Sequence, residues 1–298
     1  MPLVDKSPEK NKAAAATNPS VVITGSTRGL GFALAKRFLE LGCRVTISGR
    51  TGESVDRALS RLNSTASGGR SGLGAEAGQR MHGHPCDVSD ARQVQALWDG
   101  AVKRWGRVDI WINNAGIPQA YLPAWELSVE QVRRLLETNL LGVIQGSRTA
   151  MRGMQAQGGG GIYNVEGWGS DGKRRNGLTL YGTTKRAIRY FTRGLADEAE
   201  GGPVLVGTLS PGMMVTDFLT NPMKEMKDAE RMRRVVNIIG DRPETVARFL
   251  TGKILGNRQN HAHFVWLTGA KVMGRFLTAP FRRRDLFAGL HAAGQQAR

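Results

Sequence analysis

Val21-Val-Ile-Thr24-Gly25-Ser-Thr-Arg28-Gly29-Leu-Gly31 opens the ordered part of this 298-residue chain. The β-branched run reads as a short buried strand, the glycines as a turn, and residues 32–41 as an amphipathic helix. Strand, glycine turn and helix in that order aim backbone N–H groups and the positive end of a helix dipole at a phosphate. Gly25 permits the tight turn, Gly29 lets the backbone approach a pyrophosphate, and Gly31 lets helix and strand pack closely.

Arg44-Val-Thr-Ile-Ser48 reads as the second strand. An acid commonly closes this strand in a dinucleotide-binding unit and holds the adenosine ribose. Here Gly49-Arg50 stands in its place. A guanidinium pairs with a 2′-phosphate that a carboxylate would repel. Arg50, with Arg28 in the glycine turn, therefore predicts NADPH over NADH. Residues 66–80 hold five glycines in fifteen and predict a flexible surface loop. Met81-His-Gly-His-Pro-Cys-Asp-Val88 carries the third strand, with Asp87 and Val88 at its end near the adenine position. His82 and His84 share a strand face but lack further ligands, so no metal site is expected.

A helix over 91–105 leads to the strand Val108-Asp-Ile-Trp-Ile112 and then Asn113-Asn114-Ala115-Gly116. Small residues there would pass beneath a cofactor ribose, and asparagines could cross-link neighbouring strands. A long amphipathic helix over 129–154 contains Asn139. Asparagine is unfavourable in mid-helix, which makes sense if it distorts the helix to hold a water. Ile162-Tyr-Asn-Val165 is a fifth strand and Pro203-Val-Leu-Val-Gly-Thr-Leu209 a sixth. The bend in Ser210-Pro211-Gly212-Met213-Met-Val-Thr216 could set Thr216 over a pyrophosphate or carboxamide. Strands alternate with helices throughout, which implies an α/β fold with a single doubly wound parallel sheet and ligands at the strands' carboxyl ends.

Tyr181-Gly-Thr-Thr-Lys185 supplies chemistry. Residues four apart on a helix share a face. A free phenol ionises near pH 10, and a nearby ammonium favours the phenolate, making a general acid/base for a carbonyl or alcohol.

Composition narrows the rest. Cys43 and Cys86 show no metal spacing and suggest a reducing compartment. No apolar run is long enough to span a bilayer, and residues 1–19 read as a disordered tail without a secretory signal. The formal charge is +17, with seven Lys or Arg between Lys173 and Arg193 and eight from Lys253 onward. No nucleic-acid motif accompanies them, so specific nucleic-acid binding is not expected.

Thr24-Gly-x-x-x-Gly-x-Gly31, Asn113-Asn-Ala-Gly116, Asn139, Tyr181-x-x-x-Lys185 and Pro211-Gly212 together resemble the short-chain dehydrogenase/reductase family. The resemblance runs from Val21 to Thr216. It implies a single Rossmann-type domain over 20–270, of about seven strands with helices on both faces, followed by a basic amphipathic extension over 271–298. It implies that Tyr181 donates the proton, that Lys185 lowers its pKa and holds the nicotinamide ribose, and that Asn139 anchors a relay water. The cofactor set it implies is Gly25, Ser26, Thr27, Arg28, Gly29, Leu30 and Gly31, with Arg50, Asp87, Val88, Asn114, Ala115, Gly116, Tyr181, Lys185, Pro211, Gly212, Met213 and Thr216. It also implies a homodimer or homotetramer.

The family's serine, thirteen residues before the tyrosine, falls on Trp168. Ser170 is the nearest hydroxyl and the expected substitute, with a backbone amide or Thr183 as alternatives. The loop Asn164-Val-Glu-Gly-Trp-Gly-Ser-Asp-Gly172 and Phe264-Val-Trp-Leu-Thr-Gly-Ala-Lys271 resemble chlorophyll b reductases, which implies a bulky lipophilic carbonyl substrate such as a formyl-tetrapyrrole. Small or acyl-type substrates, and a nucleotide-sensing protein with little catalysis, are the competing readings. Met213, Met214 and residues 218–226 would form a flexible substrate lid. Phe276, Leu277 and Phe281 among Arg275 and Arg282-Arg-Arg284 suit an anionic membrane surface, or equally a helix packed on the core or on a partner subunit. A cytoplasmic location follows, with membrane association through this segment, and organelle import stays open.

Overall fold

The computed structural model describes residues 18–67, 75–223, 228–282 and 284–288. The expected tail over 1–19 falls almost wholly outside them, as do residues 68–74 of the expected loop. β1 (Ser20–Ile23), β2 (Arg44–Gly49), β3 (Met81–Pro85), β4 (Ile110–Asn113), β5 (Gly160–Val165), β6 (Val204–Ser210) and β7 (Ala262–Val265) form one sheet in the order β3-β2-β1-β4-β5-β6-β7. Every neighbouring pair is parallel. Strand order reverses beside β1, which opens a crevice at the carboxyl ends of β1 and β4.

Both sheet faces are covered, so the strands are apolar on both sides. Val21, Ile23, Val45 and Ile47 face α1 (Gly29–Glu40) and α9 (Pro243–Leu255). Val22, Trp111 and Ile162 face α3 (Ala91–Trp105) and α5 (Gly142–Ala156). The sheet's centre is tied by buried amides, as the Asn-Asn pair suggests. Asn113 Nδ2 donates to Asn164 Oδ1 at 2.8 Å and to Ser147 Oγ at 3.0 Å. Asn164 Nδ2 donates to Thr192 Oγ1 at 2.9 Å, which binds β5 to α6 (Thr179–Glu198).

Three segments differ from the sequence expectation. The long helix over 129–154 is instead α4 (Val129–Leu136), a π-turn over Glu137–Leu141, and α5. Asn139 is fully buried in the π-turn, where its Oδ1 accepts from Ile117 N–H at 2.8 Å and its Nδ2 donates to Ile117 O at 2.9 Å. The distortion is present, and both polar atoms of the amide side chain bond the Ile117 main chain. The glycine-rich loop over 66–80 is helical at both described ends: α2 (Gly52–Ser67) runs into it and a 3₁₀ turn, Ala75–Arg80, leaves it. Arg80 Nη1 donates to Leu39 O at 2.9 Å and Arg104 Nη2 to Gln79 O at 2.9 Å, which pins that turn.

The third difference lies beyond β6. α7 (Asp217–Met223) and α8 (Ala229–Ile239) form a small lobe whose core is Val215, Met223, Met232, Val236 and Phe287. The described part of the C-terminal extension folds back onto this lobe through α10 (Gly269–Thr278) and Phe287. Buried Asp241 accepts from Trp266 Nε1 at 2.7 Å, from Arg275 at 2.8 Å and from Arg284 at 3.0 Å. No described helix is long and apolar enough to cross a membrane.

Candidate active site

Tyr181 and Lys185 lie one turn apart on the buried face of α6, 9% and 5% exposed. The first turn of α6 lacks a cap from its own N-terminal residue, Leu178. Gln119 supplies one from a distant loop: its Oε1 accepts from Tyr181 N–H at 2.7 Å, and its Nε2 donates to Gly177 O at 2.9 Å. Nothing in the sequence marks Gln119, because its partners lie 62 and 58 residues away.

Lys185 Nζ lies 5.7 Å from the centre of the Tyr181 ring and donates to Val165 O at 3.3 Å. Burial pushes the lysine down to about 8, while the Glu166 carboxylate pulls it up. Burial pushes the Tyr181 phenol well above its usual value, and Tyr121 adds to the rise. Desolvation is the largest influence on the phenol. The pair as it stands holds a proton on Tyr181, the state a carbonyl-reducing acid requires.

The residue facing the phenol is Gly167. A Cβ there would collide with the Tyr181 hydroxyl and come within 3.2 Å of Lys185 Cε. Counting back thirteen residues reaches Trp168, which is 42% exposed. Ser170 is buried, but its hydroxyl donates to Glu166 Oε2 at 3.3 Å. That carboxylate is also 3.2 Å from His263 Nε2 and 3.7 Å from Arg189 Nε. Thr183 turns its hydroxyl to Thr179 O at 2.8 Å along its own helix. Both hydroxyls expected to replace the serine thus have partners of their own.

The glycine turn fits a pyrophosphate. Gly25 and Gly29 take φ of +61° and +58°, a region that favours glycine. A Cβ on Gly25 would lie 2.7 Å from Ala115 Cα, so turn and β4 tip are in contact. Arg28 starts α1 without a side-chain cap and no acid occupies the first turn, which leaves its N–H groups to an anion. Arg28 and Arg50 are exposed, with no ion pair among the described residues.

Several expected cofactor residues spend their side chains on the fold. Ser26 Oγ donates to Ile23 O at 2.7 Å, and Leu30 is buried in the core. Asn114 Nδ2 donates to Thr24 O and Gly25 O, both at 2.9 Å. The Thr27 methyl sits against Gly49, and Asp87 Oδ1 accepts from Ser89 Oγ at 2.7 Å. Val88 packs on Gly142. Across the crevice, Gly212 takes φ of +72° beside Leu267, and Met213 O accepts from Asp241 N–H at 3.0 Å. Thr216 lies 3.6 Å from where a Gly29 Cβ would stand. Phe218, on α7, meets the Tyr181 ring edge to face at 5.9 Å and lies 3.9 Å from a Gly116 Cβ position, which in turn is 3.3 Å from Asn139 Oδ1. Residues 224–226 of the expected lid lie outside the described residues.

The short chain dehydrogenase family model matches residues 19–227. The probable chlorophyll(ide) b reductase NYC1 of Arabidopsis thaliana is 35% identical over 274 residues, covering 90% of this chain and 54% of that protein. The chlorophyll(ide) b reductase NOL of Oryza sativa subsp. japonica is 35% identical over 277 residues, covering 90% of this chain and 76% of that one. The chain thus spans about half the length of the NYC1 relative. Levodione reductase shares the fold at TM-score 0.74 and 24% identity, over 86% of this chain and 98% of that one. Sheet order, glycine turn, tyrosine–lysine pair and family match agree: the chain belongs to the short-chain dehydrogenase family of oxidoreductases, which use NAD(P)(H) on carbonyl and CH–OH groups.

Proposed function

We propose that the protein is an NADPH-dependent reductase of an aldehyde or ketone on a bulky, largely apolar molecule, with a formyl-tetrapyrrole as the leading candidate. The observation that carries the reading is the buried Tyr181–Lys185 pair, whose phenol is held protonated beside the crevice. The cofactor, when bound in this crevice, would supply the hydride that reduces the carbonyl carbon. Tyr181 gives its proton to the carbonyl oxygen, and the Lys185 ammonium stabilises the phenolate left behind. The first-turn amides of α1 hold the pyrophosphate, and Arg28 and Arg50 take the 2′-phosphate. The Asn139 amide is committed to Ile117, so a relay water would be held by the main chain of the π-turn.

Phe218, exposed against the Tyr181 ring, and the half-buried Met213 and Leu219 support a bulky apolar substrate. The names of the two chlorophyll(ide) b reductases support the tetrapyrrole. Trp125 and Tyr190, 85% and 82% exposed near α4 and on α6, support a homo-oligomer. A second reading, a dinucleotide-binding protein with little turnover, draws on the glycine at 167 and on the partnered Ser170 hydroxyl.

NADPH consumption over a panel of aldehydes and ketones, formyl-bearing tetrapyrroles included, tests these readings. Tyr181→Phe is expected to lower turnover at least about 100-fold with NADPH binding intact. Normal activity in that variant would exclude the mechanism. No oxidation across the panel by the wild type would favour the second reading.

A further inference from the structure

A half-buried guanidinium without a carboxylate partner stands over Tyr121, whose phenol neighbours that of Tyr181. Arg175 lies in the turn that leads into α6, where Leu178 N–H donates to its carbonyl at 3.1 Å. Its Cζ lies 5.3 Å from the centre of the Tyr121 ring, and its Nη1 3.9 Å from Met232 Sδ. Neither contact neutralises its charge, and it forms no ion pair among the described residues. Lys173, two residues before it, by contrast pairs with Asp171 at 2.8 Å. A half-buried guanidinium with no counter-ion offers its donors to an anion.

Tyr121 adds a second free donor. Its hydroxyl makes no hydrogen bond among the described residues. Burial pushes its pKa up, against the pull of Arg175, so it keeps its proton at neutral pH. It stands close enough to Tyr181 that charge on one phenol opposes charge on the other. The arrangement is held rigidly. Gly177 packs so tightly on the Tyr121 main chain that a Cβ would lie 3.2 Å from Tyr121 C, and Gln119 fastens Gly177 O and Tyr181 N–H together.

We propose that Arg175 and Tyr121 bind a carboxylate carried by the substrate, so that the enzyme prefers a bulky carbonyl compound with a free acid arm over its ester. The proposal rests on the preceding reading that Tyr181 reduces a bulky carbonyl. A guanidinium fork and a phenol O–H can together satisfy both oxygens of one carboxylate. The apolar side chains exposed beside the site, Phe218 among them, face the rest of the molecule. Esterification removes the charge that Arg175 meets while leaving the reacting carbonyl unchanged.

The test compares kcat/KM, by NADPH consumption, for a formyl-bearing chlorin as the free propionic acid and as its methyl ester. Wild-type enzyme is expected to favour the acid on the order of 10- to 100-fold. Arg175→Gln is expected to bring the acid down to the level of the ester, mainly through KM, and to leave the ester unchanged, so the ester also reports that the variant is folded. Arg175→Lys should recover part of the preference, and Tyr121→Phe should lose part of it. Equal use of acid and ester by the wild type, or an equal loss for both in Arg175→Gln, would overturn the proposal and leave the reductase reading standing. Failure of the wild type to reduce either form would remove both.

Discussion

Replacing Lys185 by methionine removes a buried charge at nearly constant volume, and its effect on stability depends on pH in a calculable way. Lys185 is 5% exposed, and burial moves its pKa from 10.5 to about 8. A fall of that size corresponds to about 3 kcal/mol spent holding the ammonium in the interior. Below pH 8 the lysine is charged in both folded and unfolded chains, and the native state carries the whole penalty. Between pH 8 and 10.5 the folded lysine releases its proton while the unfolded one keeps it, so the wild type gains stability with rising pH. Methionine never carries the penalty. Lys185→Met is therefore expected to exceed the wild type at pH 7 by up to about 3 kcal/mol, less about 1 kcal/mol for the lost bond to Val165 O. That advantage should vanish by pH 10.5. Urea unfolding followed by tryptophan fluorescence at the two pH values measures it, and turnover should fall at least about 100-fold at both. A stability difference that is the same at both pH values would refute the reasoning, because the lysine would then not be titrating out of a buried charged state.

Other perturbations follow from the same geometry. Arg50→Asp should lower kcat/KM with NADPH by at least about tenfold while leaving or improving NADH, since a carboxylate repels the 2′-phosphate; an unchanged NADPH/NADH ratio would remove Arg50 from cofactor choice. Ser170→Ala should leave kcat within a few-fold and cost about 1 kcal/mol of stability, because its hydroxyl serves Glu166; a 100-fold loss of kcat would return Ser170 to the substrate oxygen.

Much of this protein could be read without coordinates where function demands a local pattern. The glycine turn, the seven-stranded parallel sheet and the helix bearing Tyr181 and Lys185 each follow from residues close together in the chain. Asn139 was legible as a distortion, because an amide in mid-helix conflicts with local propensity. Its partner, the Ile117 backbone, was not, because it lies 22 residues away. Counting missed the residue that faces the phenol. Spacing assigns Trp168, but what matters is which Cα points at the tyrosine where loop 166–172 turns, and that is Gly167. The phenol's environment is a related case. A sequence displays the neighbouring ammonium but not the desolvation, and here desolvation dominates.

The C-terminal segment shows why composition alone misplaces charge. Its arginines and apolar residues read as one amphipathic surface for a membrane or a partner. In the fold they separate by partner. Arg275 and Arg284 turn inward to Asp241 and also donate to Ile239 O and Ile238 O at the end of α8. The Asp241 carboxyl is held below its usual range by Arg275 and Trp266 despite its burial. Phe287 enters the lobe core, while Met273, Leu277 and Phe281 stay 67%, 71% and 89% exposed. A buried carboxylate thus converts part of a basic tail into a strap over the lobe beside the active site. The positive charge available outside is correspondingly smaller than the sequence count, because two of the arginines that would attract an anionic surface share the Asp241 carboxylate, which cancels one of their two charges within the protein.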